Sequence, residues 1–138
     1  MPETKACVFC RIVSGELPAH RVYEDDRYLG FFSIQPMNPG HTLLVPKAHR
    51  RWVLDVEDFG GYWEVAKKIA LATKSALGAD SVSFVTLGYE IPHAHIWIVP
   101  RFPNDGHPGT IDWSNVKKIP PEEMERMAEK IRNEIGGS

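Results

Sequence analysis

The chain has 138 residues, of which 43% are hydrophobic and 25% are charged, and its formal net charge is −2. These values predict one globular domain over residues 1–138, long enough to bury a hydrophobic core without disulfides. The charge gives no general reason to expect nucleic-acid binding, because no basic cluster exceeds the short His49-Arg50-Arg51. The N-terminus shows no secretory signal and no apolar run reaches the roughly 18 residues of a membrane span, so we expect a soluble, cytoplasmic protein. The terminal Gly136-Gly137-Ser138 is expected to be disordered.

The two cysteines, Cys7 and Cys10, have the spacing C-x-x-C. A structural disulfide is not expected in a cytoplasmic protein. A thioredoxin-like redox pair would follow a strand and open a helix, whereas this pair lies almost at the N-terminus, so that function is disfavoured. We therefore favour half of a zinc site, which needs two further ligands, although the bare spacing is equally compatible with no special function. The histidines considered as the missing ligands are His20, His41, His49, His93 and His107.

The first half of the chain predicts a short helix and then an antiparallel hairpin. The helix covers about residues 6–14 and contains both cysteines. Strands are predicted at residues 21–23, 28–34 and 42–45. The last two are joined by a turn with two prolines and a glycine, which favours antiparallel pairing.

The second half predicts a long helix, two strands and a final helix. Apolar residues recur with helical spacing between a capping Asp58 and a terminating Gly78. Residues 82–87 and 93–99 have the character of strands. The last helix opens with two prolines and runs over about residues 120–135. This order predicts an antiparallel α+β domain, and the chain contains no glycine-rich phosphate loop.

Two histidines and a tryptophan occupy alternate positions in the strand at residues 93–99. Because strand side chains alternate between faces, His93, His95 and Trp97 face one way while their neighbours face the core. Imidazoles in an otherwise apolar strand indicate either a metal site or a histidine that attacks a substrate.

Four motifs follow one another along the chain. They are CVFCRIVSGELP at residues 7–18, YEDD at 23–26, NPGHTLLVPKAH at 38–49 and HAH at 93–95. Together they resemble the histidine-triad (HIT) family, most closely its nucleotide-binding, Hint-like branch. The resemblance implies a five-stranded antiparallel sheet with two main helices, usually continued across a homodimer. It also implies purine-nucleotide binding, with hydrolysis or transfer through a covalent nucleotidyl-histidine.

By this resemblance His95 is the nucleophile. A neutral imidazole nitrogen can attack an α-phosphorus when a hydrogen bond fixes the tautomer, and a backbone carbonyl near residue 93 can provide that bond. The resemblance also implies a structural zinc in a closed Cys2His2 set formed by Cys7, Cys10, His49 and His93. Among the other histidines, we expect His41 to pack or to support a ligand, and we expect His20 and His107 to be solvated in loops.

The resemblance further implies an apolar pocket around the base. Its predicted residues are Val8, Phe9, Ile12, Phe31, Phe32 and Ile34, although any one of them is more often an ordinary core residue. Three residues on the ribose and phosphate side depart from the family: Ser33 replaces an acidic residue, Thr86 an asparagine and Trp97 the third histidine. The loop at residues 88–92 is also short. An indole has one N–H donor and does not titrate, so Trp97 can bind a phosphate oxygen but cannot act as an acid.

Two functions therefore stay open. The first is an enzyme that hydrolyses or transfers purine nucleotides from phosphoramidates or related adducts through nucleotidyl-His95. The second is a nucleotide-binding module with weak or lost catalysis, which the changes at Ser33, Thr86 and Trp97 favour. We favour the enzyme, because a purely binding protein has little reason to retain the nucleophile.

Overall fold

A computed structural model describes residues 7–136. Its elements are α1 (Val8–Val13), β1 (Arg21–Glu24), β2 (Tyr28–Phe32), β3 (Thr42–Pro46), a 3-10 turn (Val53–Asp55), α2 (Phe59–Leu77), β4 (Ser81–Val85), β5 (Ile96–Arg101) and α3 (Pro121–Gly136). Within the described part, one antiparallel five-stranded sheet has the order β1-β2-β3-β5-β4. The predicted α+β class with two main helices is confirmed. Disorder was expected at residues 136–138, but Gly136 is the last residue of α3, and residues 137 and 138 lie outside the described residues.

The two long helices cover one face of the sheet. Asp58 begins α2 by accepting a hydrogen bond from the N–H of Gly61, and Gly78 ends it with a left-handed φ of 70°. The hydroxyl of Tyr62 donates to the carbonyl of Leu44 over 2.6 Å and so joins helix and sheet. The sheet contributes to this core the buried side chains of Val22, Tyr28, Phe32, Leu44, Ile96 and Ile98.

The short helix α1 lies on the opposite face. Phe9 and Ile12 pack there against Phe31 and Leu43, which belong to β2 and β3. A helix of six residues is too short to be stable alone, so these contacts and the cap at its N-terminus hold it in place. Between residues 7 and 136, none of the helices has both the length and the apolar character needed to cross a bilayer.

Strand boundaries differ from the sequence prediction where the chain turns. β2 ends at Phe32, because the N–H of His41, opposite Ser33, donates to the carbonyl of Asn38 within the turn instead of continuing the ladder. β5 begins at Ile96 instead of residue 93, because the N–H of Ala94 donates to the carbonyl of Arg50 instead of entering the sheet ladder. The predicted alternation is still present, since Ala94 and Ile96 face the helical core.

The expectation that His107 is solvated is wrong. Its side chain is 1% exposed, because the segment after β5 folds back over the turn that follows β2. Its Nε2 donates to the carbonyl of Met37 over 2.8 Å, and its Nδ1 accepts from the N–H of Asp112 over 2.9 Å. His20 lies in a loop as expected, but it is partly buried and Glu125 lies 2.9 Å from its Nδ1.

Candidate functional site

Four side chains converge beside the N-terminus of α1. The ligand atoms of Cys7, Cys10, His49 and His93 all lie within 4.8 Å of one another. Nδ1 of His93 is 3.3 Å from Sγ of Cys7 and 3.2 Å from Nδ1 of His49. Tetrahedral zinc with bonds of about 2.1 to 2.3 Å separates its ligand atoms by about 3.4 to 3.8 Å, close to this arrangement. The prediction that these residues form one Cys2His2 set is confirmed.

Hydrogen bonding prepares His93 for a metal. Its Nε2 lies 2.8 Å from the carbonyl of Pro46 and donates to it, so Nδ1 carries the single lone pair. Burial lowers the pKa of His93 to about 4, which keeps the ring neutral as a metal ligand must be. Three groups face that one lone pair, from Cys7, Cys10 and His49. One central cation can bind all four atoms at once. Hydrogen bonds from the two thiols to the two rings would instead leave Nδ1 of His49 and Nδ1 of His93 facing each other as acceptors over 3.2 Å.

His95 lies two residues after the metal ligand His93 and is oriented by the backbone carbonyl of that residue. Nδ1 of His95 donates to the carbonyl of His93 over 2.8 Å. Burial lowers the pKa of His95, so the ring is neutral near pH 7 and its Nε2 carries the lone pair. The side chain is 7% exposed, and the ring of Phe9 meets it edge-on with centroids 5.2 Å apart. His95 therefore has the tautomer of a nitrogen nucleophile within an apolar wall.

Apolar residues form that wall on the α1 face of the sheet. The rings of Phe9 and Phe31 are in edge contact at 5.6 Å, and Ile12 packs in the same cluster. Phe31 pairs with Leu43 and Leu43 with Trp97, which makes a row across three strands. The sequence analysis missed Leu43, although the alternation of β3 relative to the glycine-containing turn carried the signal.

Not every predicted pocket residue lies on this face. Placing Phe32 in the base pocket is wrong, because it alternates with Phe31 and packs into the core beneath α2 and α3. Ile34 is 91% exposed on the turn after β2, and Val8 is exposed on α1. Thr86 is exposed just after the end of β4. For these three residues a contact with nucleotide stays a prediction.

Ser33 is buried at the end of β2, directly after the apolar wall. Its Oγ accepts from the N–H of Gln35 over 3.1 Å. The hydroxyl therefore keeps one proton to donate, and a ribose hydroxyl would receive a single neutral hydrogen bond from it.

Trp97 is packed between two other rings. Its indole is 4.6 Å from His41 and 5.1 Å from Trp113, measured between ring centroids. His41 is buried, as expected for a packing residue, and its burial lowers the pKa to about 3. Nδ1 of His41 accepts from the N–H of Met37, so Nε2 carries the proton. That buried N–H has no hydrogen-bond partner among the described residues.

Comparison with known proteins agrees with this geometry. Residues 14–104 match the HIT domain. An uncharacterised HIT-like protein of Borreliella burgdorferi is 40% identical over 115 residues, which cover 72% of this chain and 78% of the relative. The adenosine 5'-monophosphoramidase of Schizosaccharomyces pombe is 28% identical over 135 residues, covering 94% of this chain and 98% of that enzyme. The crystal structure of a zinc-bound histidine-triad protein from Mycobacterium smegmatis superposes with a TM-score of 0.79 at 31% identity, covering 96% and 94% of the two chains. This chain therefore belongs to the HIT family.

Proposed function

We propose that this protein is a purine-nucleotide hydrolase or nucleotidyl transferase that acts at the α-phosphate of nucleotide phosphoramidates or related adducts. The observation that carries the proposal is the hydrogen bond from Nδ1 of His95 to the carbonyl of His93, which leaves Nε2 as a lone-pair donor. The 28% identical relative that is an adenosine 5'-monophosphoramidase supports the same class of substrate.

The first step is attack by His95 on phosphorus. A P–N bond forms between Nε2 and the α-phosphorus, and the bond to the leaving amine breaks with its electron pair, which takes up a proton. Positive charge develops on the imidazole, and the carbonyl of His93 stabilises it at Nδ1–H. The apolar wall of Phe9, Phe31 and Leu43 holds the base by contact area and stacking.

The second step is hydrolysis or transfer. Water, or another nucleophile, attacks the same phosphorus, and the bond to Nε2 breaks to return the neutral imidazole of His95. The proton that the attacking group loses passes to solvent and balances the one that the leaving amine took from solvent in the first step. Trp97 supplies at most one N–H donor to a phosphate oxygen in either step. Removing one such donor or charge commonly costs about 10² to 10³ in rate, so we expect slow turnover compared with an enzyme that has three histidines.

We propose that Cys7, Cys10, His49 and His93 hold a structural zinc. The set is closed, with four protein ligands, so it has no open position for substrate. When bound, zinc supplies the cross-link that fixes α1 against the sheet. The zinc-bound relative from Mycobacterium smegmatis supports this choice of metal.

We also propose a homodimer in which β4 pairs with β4 of a second copy. In the described chain β4 pairs only with β5, so its outer edge is open. Phe84 on β4 is 42% exposed, and its ring meets Trp63 of α2 at 5.8 Å. Phe59 extends this exposed aromatic cluster along α2, and the buried Nε1 of Trp63 has no partner among the described residues. A second copy would cover these rings and the strand edge.

The test of the proposed reaction is to trap the covalent intermediate. Protein is mixed with an adenosine phosphoramidate, quenched within milliseconds to seconds and weighed intact by mass spectrometry. We expect an adenylyl adduct and release of AMP with the wild type, and neither with His95→Ala. His20→Ala is the matched control, because His20 lies away from the wall and pairs with Glu125. AMP binding without adduct or turnover would contradict the enzyme.

AMP binding without an adduct or turnover would support the alternative function, a nucleotide-binding module with weak or lost catalysis. The observation favouring it is the packing of Trp97 between His41 and Trp113, which ties up the position of the third histidine. Both functions therefore predict nucleotide binding, and they predict opposite results in the trapping experiment.

A further inference from the structure

We propose that the Cys2His2 set positions the nucleotide site, so that metal loading fixes both the tautomer of His95 and the wall formed by Phe9. This inference rests on the proposed function for its nucleotide arm, and its tautomer arm stands independently. Two structural links support the proposal. One runs through the backbone of His93, and the other runs through the C-x-x-C segment at the start of α1.

The first link is the carbonyl of His93. This residue gives its side chain to the metal set and its carbonyl to Nδ1 of His95. The segment at residues 93–95 precedes β5 and lies outside the sheet ladder. The peptide that carries this carbonyl is held instead by the N–H of Ala94, which donates to the carbonyl of Arg50, the residue after the metal ligand His49. The side chain is anchored by Pro46 on one ring nitrogen and by the metal set on the other. His93 is therefore a positioning residue that acts through His95.

The second link is Phe9, which lies between the two cysteines. Its ring contacts His95 at 5.2 Å, His93 at 5.9 Å and Phe31 at 5.6 Å. The helix that carries it has six residues, and its N-cap is the side chain of Cys7. Because so short a helix has little stability of its own, the two cysteine ligands determine where Phe9 lies.

Removing the metal breaks the balance of contacts at His93. Its Nδ1 has one lone pair, and the atoms of Cys7, Cys10 and His49 lie 3.2 to 3.5 Å from it. Without a central cation only one of these three contacts can be satisfied as a hydrogen bond. We expect the set to open, which frees α1 and lets the carbonyl of His93 rotate away from His95.

The experiment uses His49→Ala, because His49 belongs to the set but makes no hydrogen bond or ring contact with His95 or Phe9. Metal content is measured by elemental mass spectrometry, the His95 tautomer by ¹⁵N NMR of the imidazole, and AMP affinity by calorimetry. We expect loss of zinc, exchange of His95 between its two neutral tautomers, and AMP binding weakened about tenfold, the size of one good aromatic contact. His49→Cys keeps four ligands and is expected to restore the metal and the single Nδ1–H tautomer. His20→Ala should match the wild type.

A folded, metal-free protein that keeps the single His95 tautomer and unchanged AMP affinity would overturn the proposal. If His49→Ala does not fold, Phe9→Leu decides the nucleotide arm. It keeps the metal ligands and should weaken AMP binding severalfold, whereas Leu54→Ala in the exposed 3-10 turn should not. Equal affinities would overturn that arm. If no variant and no wild type binds AMP, the proposed function fails, and the tautomer of the wild type before and after chelation still decides the inference.

Discussion

The ring centroids of His41 and Trp97 lie 4.6 Å apart, and the buried Nε2–H of His41 has no hydrogen-bond partner among the described residues. The two side chains share one face of the sheet, because Leu43 pairs with Trp97 and His41, two residues before Leu43, points the same way. The indole nitrogen is a donor only, so it cannot accept a hydrogen bond from this N–H. An orphaned buried donor costs about 1 to 3 kcal/mol, which the aromatic contact partly offsets.

Trp97→His should raise turnover of an adenosine phosphoramidate by about 10²-fold, because it replaces an N–H that does not titrate with a group that can carry charge and act as an acid beside His95. It should also lower the free energy of unfolding by about 1 kcal/mol, since the edge-on ring contact with Trp113 is lost. Steady-state kinetics and urea unfolding measure the two effects. Trp113→Leu removes the same contact without adding a titratable group, so an equal rate gain in that variant would contradict the explanation.

Ser33→Asp should tighten binding of AMP by about tenfold. The introduced carboxylate would accept from the N–H of Gln35, as Ser33 does now, and from ribose hydroxyls through charge-assisted hydrogen bonds. Calorimetry with AMP and with its 2',3'-dideoxy analogue measures the change. The gain should vanish for the analogue, and a gain of the same size there would show that the carboxylate does not bind ribose.

Phe84→Glu should convert the proposed dimer to a monomer. The charge would lie in the aromatic cluster with Trp63 at the open edge of β4, where a second copy would bury it without a partner. Light scattering after size-exclusion chromatography gives the mass. Leu54→Glu is the control, because Leu54 is also an exposed apolar residue but lies in the 3-10 turn, away from β4. A wild-type monomer, or a dimer that persists in Phe84→Glu, would contradict this interface.

Asp105→Asn should lower stability in a pH-dependent way. The guanidinium of Arg101 first, and then hydrogen bonds from Asn38 and two backbone N–H groups, hold the pKa of Asp105 well below its usual range. A depressed pKa stabilises the folded state above the unfolded value of about 4, and this contribution is lost as the pH falls. We expect a loss of about 1 to 3 kcal/mol at pH 7 that shrinks below pH ~4. Urea unfolding across this range tests it, with exposed Asp26→Asn as control; a pH-independent difference would contradict it.

Gly40→Ala should cost about 2 to 3 kcal/mol of unfolding free energy. Gly40 has a φ of +89°, and a Cβ there would lie 2.5 Å from Cδ1 of Leu77. Gly15→Ala is the matched control, because Gly15 has a φ of +87° but open space around its Cβ position. Its cost should be limited to backbone strain, about 1 kcal/mol. Equal losses in the two variants, measured by urea unfolding, would show that the contact with Leu77 adds nothing.

The sequence alone determined those features that depend on local pattern and on side-chain chemistry. The spacing of Cys7 and Cys10 and the alternation of His93 and His95 can be read along the chain. Together with the NPGH and HAH motifs they predicted the HIT resemblance, the five-stranded sheet and the Cys2His2 set, which the structure and the comparisons bear out. Helix limits at Asp58 and Gly78 were also predictable, because capping is a local interaction.

Only the tertiary structure decided which segments distant in the chain meet, because depth and hydrogen-bond partners depend on those contacts. The fold buried His107 against the turn after β2, turned Phe32 toward the helices and brought Phe9 against His95. It also placed the carbonyl of Pro46 at His93, a backbone contact that no side-chain pattern encodes. The sequence identified His93 and His95 as the candidate functional histidines, and the packing of α1 against the sheet decided how their side chains are oriented.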